Sequence, residues 1–226
     1  AKLNNYKPKH FSFNVDGGRC DDCKGEGVIA VSMQFMADIE LPCETCGGTR
    51  FKNEILEVKY QKKNIAEILS MTIDEAIEFF TKHNEPKIVS KLNPLRDVGL
   101  GYLQLGQSSS TLSGGEAQRL KLASFLVKGN VVDKTLFVFD EPSTGLHFHD
   151  INKLMKSLQA LVDLGHSVLV IEHHPDIIKC ADYIIDIGKE AGKNGGEVVF
   201  AGIPEQLIHC KESYTARYIK EKLEQQ

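Results

Sequence analysis

Leu112-Ser113-Gly114-Gly115-Glu116-Ala117-Gln118-Arg119 and, farther along, Leu136-Phe137-Val138-Phe139-Asp140-Glu141-Pro142 are the stretches whose reading decides the fold. Ser113 and Glu116 have the spacing of a capping box, and Leu120, Ala123, Phe125 and Leu126 give the predicted helix an apolar side. Gly114 and Gly115 leave the backbone bare at the helix start, so the amides of Ser113, Gly114, Gly115 and Glu116 and the positive helix end can approach a phosphate. A plain capped helix after the Ser/Thr-rich loop Ser108–Thr111 fits this first stretch equally well. The second stretch is a short apolar run closed by a breaker, which fits a buried parallel strand. Asp140 then emerges at the carboxyl end of the sheet, where it can hold magnesium, and Glu141 follows in position to orient or deprotonate a water.

Beyond Ser143-Thr144-Gly145-Leu146-His147, a turn, the residues Ile151, Leu154, Met155, Leu158, Leu161, Val162 and Leu164 mark one side of a long helix that stops near Gly165. Ser167-Val168-Leu169-Val170-Ile171 reads as another interior strand, followed by Glu172-His173-His174-Pro175. Strand, helix and strand imply a βαβ unit, which brings Glu141 and His173 to one edge of the sheet and lets His173 reach a terminal phosphate. His147 and His174 are weaker candidates. Pro175 opens a short helix, Tyr183–Ile187 is a further strand, and Tyr214–Leu223 is a charged helix. The run Gly192-Lys193-Asn194-Gly195-Gly196 lacks the pattern G-x-x-x-x-G-K-S/T and precedes the strand Glu197–Ala201, so it reads as a turn.

Upstream, Thr72-Ile73-Asp74-Glu75 is a second capping box, with Ala76, Ile77, Phe79 and Phe80 as a buried stripe. Another helical stretch includes Ile88, Val89 and Leu92. Nearer the start, four of the six cysteines form two pairs, Cys20-Asp21-Asp22-Cys23 and Cys43-Glu44-Thr45-Cys46, with 19 residues between Cys23 and Cys43. Each pair can set two thiolates on one side of a tight turn, and the intervening chain can go out along Val28–Phe35 and return along Asp38–Pro42 as a hairpin. Tetrahedral zinc on Cys20, Cys23, Cys43 and Cys46 is the expectation, and a redox-active or disulfide-linked set is the alternative. Gly25, Gly27, Gly47 and Gly48 leave room for the chain to bend while N–H groups approach sulfur. Arg19, Lys24, Arg50 and Lys52 cluster around the cysteines, either to face phosphates or as a solvated rim. Cys180 and Cys210 read as isolated core or surface residues.

The 226 residues suit one large domain, or a large domain plus a small module, with 42% hydrophobic and 26% charged residues. No apolar run approaches the roughly 18 residues needed to cross a bilayer, and the opening Ala1-Lys2-Leu3-Asn4-Asn5 has no apolar signal core, so no membrane is involved and a cytoplasmic location is expected. The formal net charge of −4 supplies no global attraction to nucleic acid, so any such contact needs a local patch or a partner domain.

Taken together, these motifs resemble the ATP-binding-cassette pattern. Leu112–Arg119 matches the signature, Leu136–Pro142 the Walker B strand, Ser143–His147 the D-loop region, and His173 the switch histidine. Phe11-Ser12-Phe13-Asn14-Val15-Asp16-Gly17-Gly18-Arg19-Cys20, the two cysteine pairs, Gly106-Gln107-Ser108 and the intact Asp140–His147 string make the chain similar to the UvrA family, the DNA-binding ATPases of bacterial nucleotide excision repair.

The resemblance implies an α/β fold, an incomplete ABC-type P-loop ATPase domain with an inserted small zinc-binding hairpin module. Its parts would be the zinc insertion and its flanks over 1–60, a helical region over 61–111, and the carboxy-terminal part of the ATPase domain over 112–226. It further implies catalytic roles for Glu141 and His173, nucleotide contacts from Ser113, Gly114, Gly115, Glu116 and Asp140, and ATP, Mg2+ and structural Zn2+ as cofactors. Implied partners are the remainder of UvrA, a second UvrA copy in a homodimer, UvrB and damaged double-stranded DNA. In ABC pairs the signature of one half covers ATP held by the other, so this chain would serve two sites.

Asp16 stands where the family often has a basic residue, and neither a Walker A loop nor its glutamine-bearing companion occurs in the chain. Gln107 is not that glutamine. Alone, the chain is expected not to hydrolyse ATP. Two other readings share parts of the pattern. An ABC ATPase of transport or translation predicts no zinc insert, and a chaperone-type zinc module predicts no signature.

Overall fold

A computed structural model describes residues 5–31, 39–128, 133–188, 190 and 195–223, except for the side chains of residues 128, 148 and 149. It divides into two compact units. The first comprises Ala1–Arg96 and Leu100–Leu112, and the second Asp97–Gly99 and Ser113–Gln226.

The first unit begins with a one-turn 3-10 helix, Pro8–Phe11, and then the hairpin β1 (Val28–Val31) and β2 (Ile39–Pro42). The two strands pair antiparallel from Val28 opposite Pro42 to Val31 opposite Ile39. The rest of the predicted outgoing strand, Ser32–Phe35, and Asp38 lie outside the described residues. Apolar side chains of the hairpin point to solvent, with Ile29, Val31, Ile39 and Leu41 all exposed. Packing therefore does not hold it.

The helices α1 (Asn53–Leu56), α2 (Ile65–Leu69), α3 (Ile73–Lys82) and α4 (Pro86–Asp97) follow. Helix α3 starts where the sequence places it. The Thr72 hydroxyl accepts from the Glu75 amide at 3.2 Å, and the Glu75 carboxylate accepts from the Thr72 amide at 2.8 Å. Its buried side is Ile73, Ala76, Ile77 and Phe80, a spacing of three and four residues. Asn64 and Glu67 repeat the box at α2.

The second unit holds α5 (Gly114–Lys128), β3 (Leu136–Asp140), α6 (Phe148–Asp163), β4 (Ser167–Ile171), α7 (Pro175–Ile178), β5 (Ile184–Ile187), β6 (Val198–Gly202), α8 (Pro204–Leu207) and α9 (Tyr214–Leu223). Strands β3 and β4 pair parallel in register, Leu136 opposite Ser167 through Asp140 opposite Ile171. Strands β5 and β6 pair antiparallel. The Glu197–Ala201 strand is displaced by one residue to Val198–Gly202, and most of the preceding glycine-rich run lies outside the described residues.

Ile151, Leu154, Leu158 and Leu161 form the buried stripe of α6, whereas Val162 and Leu164 are exposed. Val162, four residues after Leu158, sits at the edge of the stripe in the last turn, and Leu164 is already the C-cap. Gly165, at φ +88°, ends the helix, its amide donating to Val162 O while His166 N donates to Leu161 O, a Schellman arrangement that needs a left-handed residue.

One sequence expectation fails here: Leu120 and Phe125 are exposed on α5, where Gly115, Arg119, Leu122 and Ala123 are the buried residues. The buried side runs through 119, 122 and 123, and a charged residue at one of its positions hides it from a hydrophobic pattern. Within this chain β3 and β4 are covered on one face. Phe137 and Phe139 are buried, but Leu136, Val138, Leu169 and Ile171 are exposed on the other face.

Thr72→Ala removes the reciprocal cap of α3 and should cost about 1 kcal/mol. Chemical denaturation followed by far-UV circular dichroism measures it, and an unchanged midpoint would mean that burial of Ile73 and Ile77 fixes this helix start unaided.

Candidate functional site

Four thiols converge in the first unit. Backbone bonds draw the two knuckles together: Cys20 N donates to Arg50 O at 2.8 Å, Lys52 N to Gly18 O at 3.0 Å, and Cys43 N to Gly27 O at 2.9 Å. Cys20, Cys23, Cys43 and Cys46 are all buried and form a cluster of their own. Their sulfur atoms all lie within 4.8 Å of one another. The Cys20 and Cys43 sulfurs are 3.9 Å apart, and those of Cys23 and Cys46 3.7 Å. Sulfurs about 2.3 Å from a central tetrahedral ion are about 3.8 Å apart, whereas a disulfide needs about 2.05 Å. The donor set and its spacing fit a metal ion, and all four cysteines are free.

The knuckle glycines act as the sequence suggests. Gly25, Gly27, Gly47 and Gly48 all have positive φ, and Gly27 N donates to the Cys23 sulfur at 3.3 Å. Burial pushes the Cys20 thiol up. The Cys46 backbone N–H lowers Cys43 to about 7, outweighing its burial. The surrounding cations are largely engaged. Arg19 pairs with Asp16 at 2.7 Å, Lys52 pairs with Asp21 at 2.7 Å, and the Arg50 guanidinium lies over the Phe13 ring.

In the second unit, Ser113 and Glu116 make the expected reciprocal cap of α5 at 2.7 and 3.3 Å. The space beside Gly114 is open. At Gly115, by contrast, a Cβ would meet the Thr144 carbonyl at 3.0 Å and the Arg119 guanidinium at 3.2 Å, so the missing side chain there lets the helix pack against the turn after β3.

The parallel register brings Asp140, Glu141 and His173 to one edge. Glu141 Oε1 and His173 Nδ1 are 3.7 Å apart, an ion pair only when the imidazole is protonated, and both side chains are more than half exposed. Glu141 sits at φ +46°, a conformation that costs a non-glycine residue about 1–3 kcal/mol. Its neighbours hold it there, with Glu141 N donating to Ile171 O at 2.9 Å and Thr144 N to Glu141 O at 3.0 Å. His174 caps α7, its Nδ1 accepting from Asp176 N at 3.3 Å, while His147 precedes α6 without a side-chain cap bond.

Three residues that sequence reasoning left without a role tie this edge together. The Gln118 amide donates to Asp140 O at 2.8 Å and accepts from Asp140 N at 3.2 Å. Arg119, only 1% exposed, donates through Nη1 to Pro142 O at 2.8 Å and Thr144 O at 3.2 Å. The Glu172 carboxylate accepts from the amides of Ser143, His173 and His174. Their common signal was a polar residue at a position facing the fold, which no hydrophobic pattern isolates.

Arg119→Ala would leave the buried Pro142 carbonyl and the more open Thr144 carbonyl without their donor, while also removing the buried Nε and Nη2 that lack partners, and should lower unfolding stability by about 1–3 kcal/mol. Urea titration reads this directly, and a loss below about 1 kcal/mol would show that water replaces the guanidinium at little cost.

No family model matches the chain. It is 56% identical over 223 residues to UvrABC system protein A of Clostridium perfringens strain 13, covering 99% of this chain and 23% of that protein. It is 54% identical over 225 residues to UvrABC system protein A of Streptococcus pyogenes serotype M3, covering all of this chain and 24% of that protein. Among solved structures, UvrA2 from Deinococcus radiodurans superposes with a TM-score of 0.86 at 44% identity over 97% of this chain and 27% of the other. The chain thus spans about a quarter of the length of the curated relatives it matches. The thiol cluster, α5 and the Glu141–His173 edge all fall inside these alignments, so the chain corresponds along nearly its whole length to one segment of the longer UvrA proteins.

Proposed function

We propose that the chain is part of the DNA-damage-recognition ATPase of bacterial excision repair, coupling ATP binding and hydrolysis to DNA engagement and UvrB loading. The observation that carries this reading is one chain holding both a four-thiol cluster and the Glu141–His173 edge, within a sequence 56% identical to a UvrABC system protein A. A transport or translation ATPase accounts for the edge but not for the thiol cluster.

In this reading residues 1–60 are a zinc-binding insertion with its flanks, 61–111 a helical connection, and 112–226 the carboxy-terminal part of an ABC-type ATPase domain. Zinc on Cys20, Cys23, Cys43 and Cys46 would supply the module with the core that its exposed hairpin residues do not. A reducing cytoplasm keeps such thiols available.

Asp140, exposed at the strand end with its main chain gripped by Gln118, would bind Mg2+. Glu141 takes a proton from the attacking water, and His173 contacts the terminal phosphate from across the edge. Ser113, Gly114, Gly115 and Glu116 offer a helix start to a nucleotide held by a facing ATPase half, with Gly114 leaving open space for its approach. The remainder of the full-length protein and a second copy of it would complete these sites, with UvrB and damaged duplex DNA as further partners. Among the described residues no helix is long and apolar enough to cross a membrane.

The protein should carry one zinc ion per chain, and because protons compete with metal for thiolates, zinc should be held at neutral pH and released as pH falls. Elemental analysis and a chromogenic zinc dye measure both, and stoichiometric absence of zinc from carefully purified protein would refute the assignment. Cys43→Ser should loosen the first unit while leaving the second folded.

In the full-length protein with its other ATP site inactivated, Glu141→Gln should cut steady-state phosphate release by about 100-fold or more while leaving ATP binding nearly intact. Unchanged release would remove Glu141 from the chemical step.

A further inference from the structure

The Glu172 carboxylate spans two loops. Oε1 accepts from Ser143 N at 3.0 Å, in the turn that follows Glu141. Oε2 accepts from His173 N at 3.0 Å and His174 N at 3.1 Å, in the loop that follows β4. One oxygen thus grips each side of the edge where Glu141 and His173 face each other at 3.7 Å. Glu172 is half-buried, whereas the side chains it lies between are open to solvent.

We propose that Glu172 is the positioning residue of this edge, its carboxylate locking the turn after β3 to the loop after β4 so that His173 is held opposite Glu141. The inference rests on the reading of that edge as a site of ATP hydrolysis. Glu172 is not a second general base, because both its oxygens are committed to main-chain amides.

The chemistry of the donors explains why a carboxylate stands here. An ionised carboxylate is an acceptor at both oxygens, and it meets three N–H donors that point inward from two segments. Burial alone would raise its pKa, but the hydroxyl and amide of Ser143 and the amides of His174 and His173 outweigh that and hold it below the usual carboxylate range. A pKa lowered by folding contributes stability that is present above the ordinary glutamate value and is lost as pH falls through the folded one, so the lock is closed at neutral pH. Glutamine keeps the shape but offers one acceptor and one donor, so it can satisfy one loop while turning N–H groups against the other. Aspartate keeps the charge on an arm one methylene shorter and cannot span both.

The test uses the full-length protein with its other ATP site inactivated, and compares wild type, Glu172→Gln, Glu172→Asp, His173→Ala, the double variant Glu172→Gln/His173→Ala, and Glu141→Gln. Glu172→Gln and Glu172→Asp should each lower kcat for phosphate release by roughly tenfold or more, with the KM for ATP within about threefold and zinc content unchanged. In the His173→Ala background, Glu172→Gln should cost less than about twofold further, because the residue it positions is gone. A purely structural role would instead give independent, multiplicative losses. Wild-type kcat in a folded Glu172→Gln protein, or in Glu172→Asp should the glutamine variant not fold, overturns the inference, as does full additivity with His173→Ala. If Glu141→Gln retains full turnover, the hydrolytic reading of the edge fails. If it is impaired while the Glu172 variants are not, the positioning role alone fails.

Discussion

The second unit depends on the parallel, in-register pairing of β3 with β4. Two strands running the same way put their carboxyl ends at one edge, so residues 32 apart in sequence, Glu141 and His173, face each other without any direct covalent or strong polar tie between them. The crossover makes this register attainable. Helix α6, with 16 residues, spans about 24 Å, while each five-residue strand spans about 17 Å, so the helix can carry the chain back past the start of β3 before β4 begins. Its buried leucines and the left-handed turn at Gly165 fix where that return stops.

The cysteine module and the rest of the chain are held by different physics. In the latter, apolar side chains from helices and strands supply a core in the ordinary way. Around the cysteines the buried groups are sulfur atoms, and the apolar side chains of the hairpin face outward. A hairpin of two four-residue strands buries too little apolar surface to be stable by itself, so order there falls to main-chain bonds between the knuckles and to the four clustered thiols, whose spacing fits a metal ion. The ion pairs Arg19–Asp16 and Lys52–Asp21 also bear on the module's surface character, since a cation already matched by a neighbouring carboxylate attracts a phosphate less than its charge suggests.

At the sheet edge a division of labour is visible between side chains that hold the backbone and side chains that face solvent. Gln118, Arg119 and Glu172 bond to carbonyls and amides of residues 140, 142, 143, 144, 173 and 174. Because these partners are main-chain groups, the scaffold is insensitive to which side chains occupy the positions it holds. Asp140, Glu141 and His173 are thereby left exposed, the Glu141 carboxylate accepting a long bond from the Thr144 hydroxyl at 3.4 Å. The left-handed backbone at Glu141 belongs to the same pattern, a strained residue kept in place by its surroundings rather than by its own preference.

Features that rest on local spacing are legible in the chain without any fold. The cap at Thr72–Glu75, the cap at Ser113–Glu116, the stop at Gly165 and the two cysteine knuckles are each encoded within a few residues, where bond reach and backbone dihedrals leave few alternatives. The order strand, helix, strand was also legible, since two short apolar runs flank one long 3.6-residue periodicity, and it brought Glu141 and His173 to one edge. Tertiary structure alone decided which faces are covered. Leu120, Phe125 and Val162 read as core from hydropathy yet stand exposed within this chain, because burial is a property of what packs opposite and not of the residue. It alone assigned Gln118, Arg119 and Glu172 as well, whose partners lie 22 to 29 residues away, apart from the adjacent amides of residues 173 and 174. A polar side chain carries no periodic signal, and whether it ends in solvent or on a distant carbonyl is fixed only when the strands have found their register.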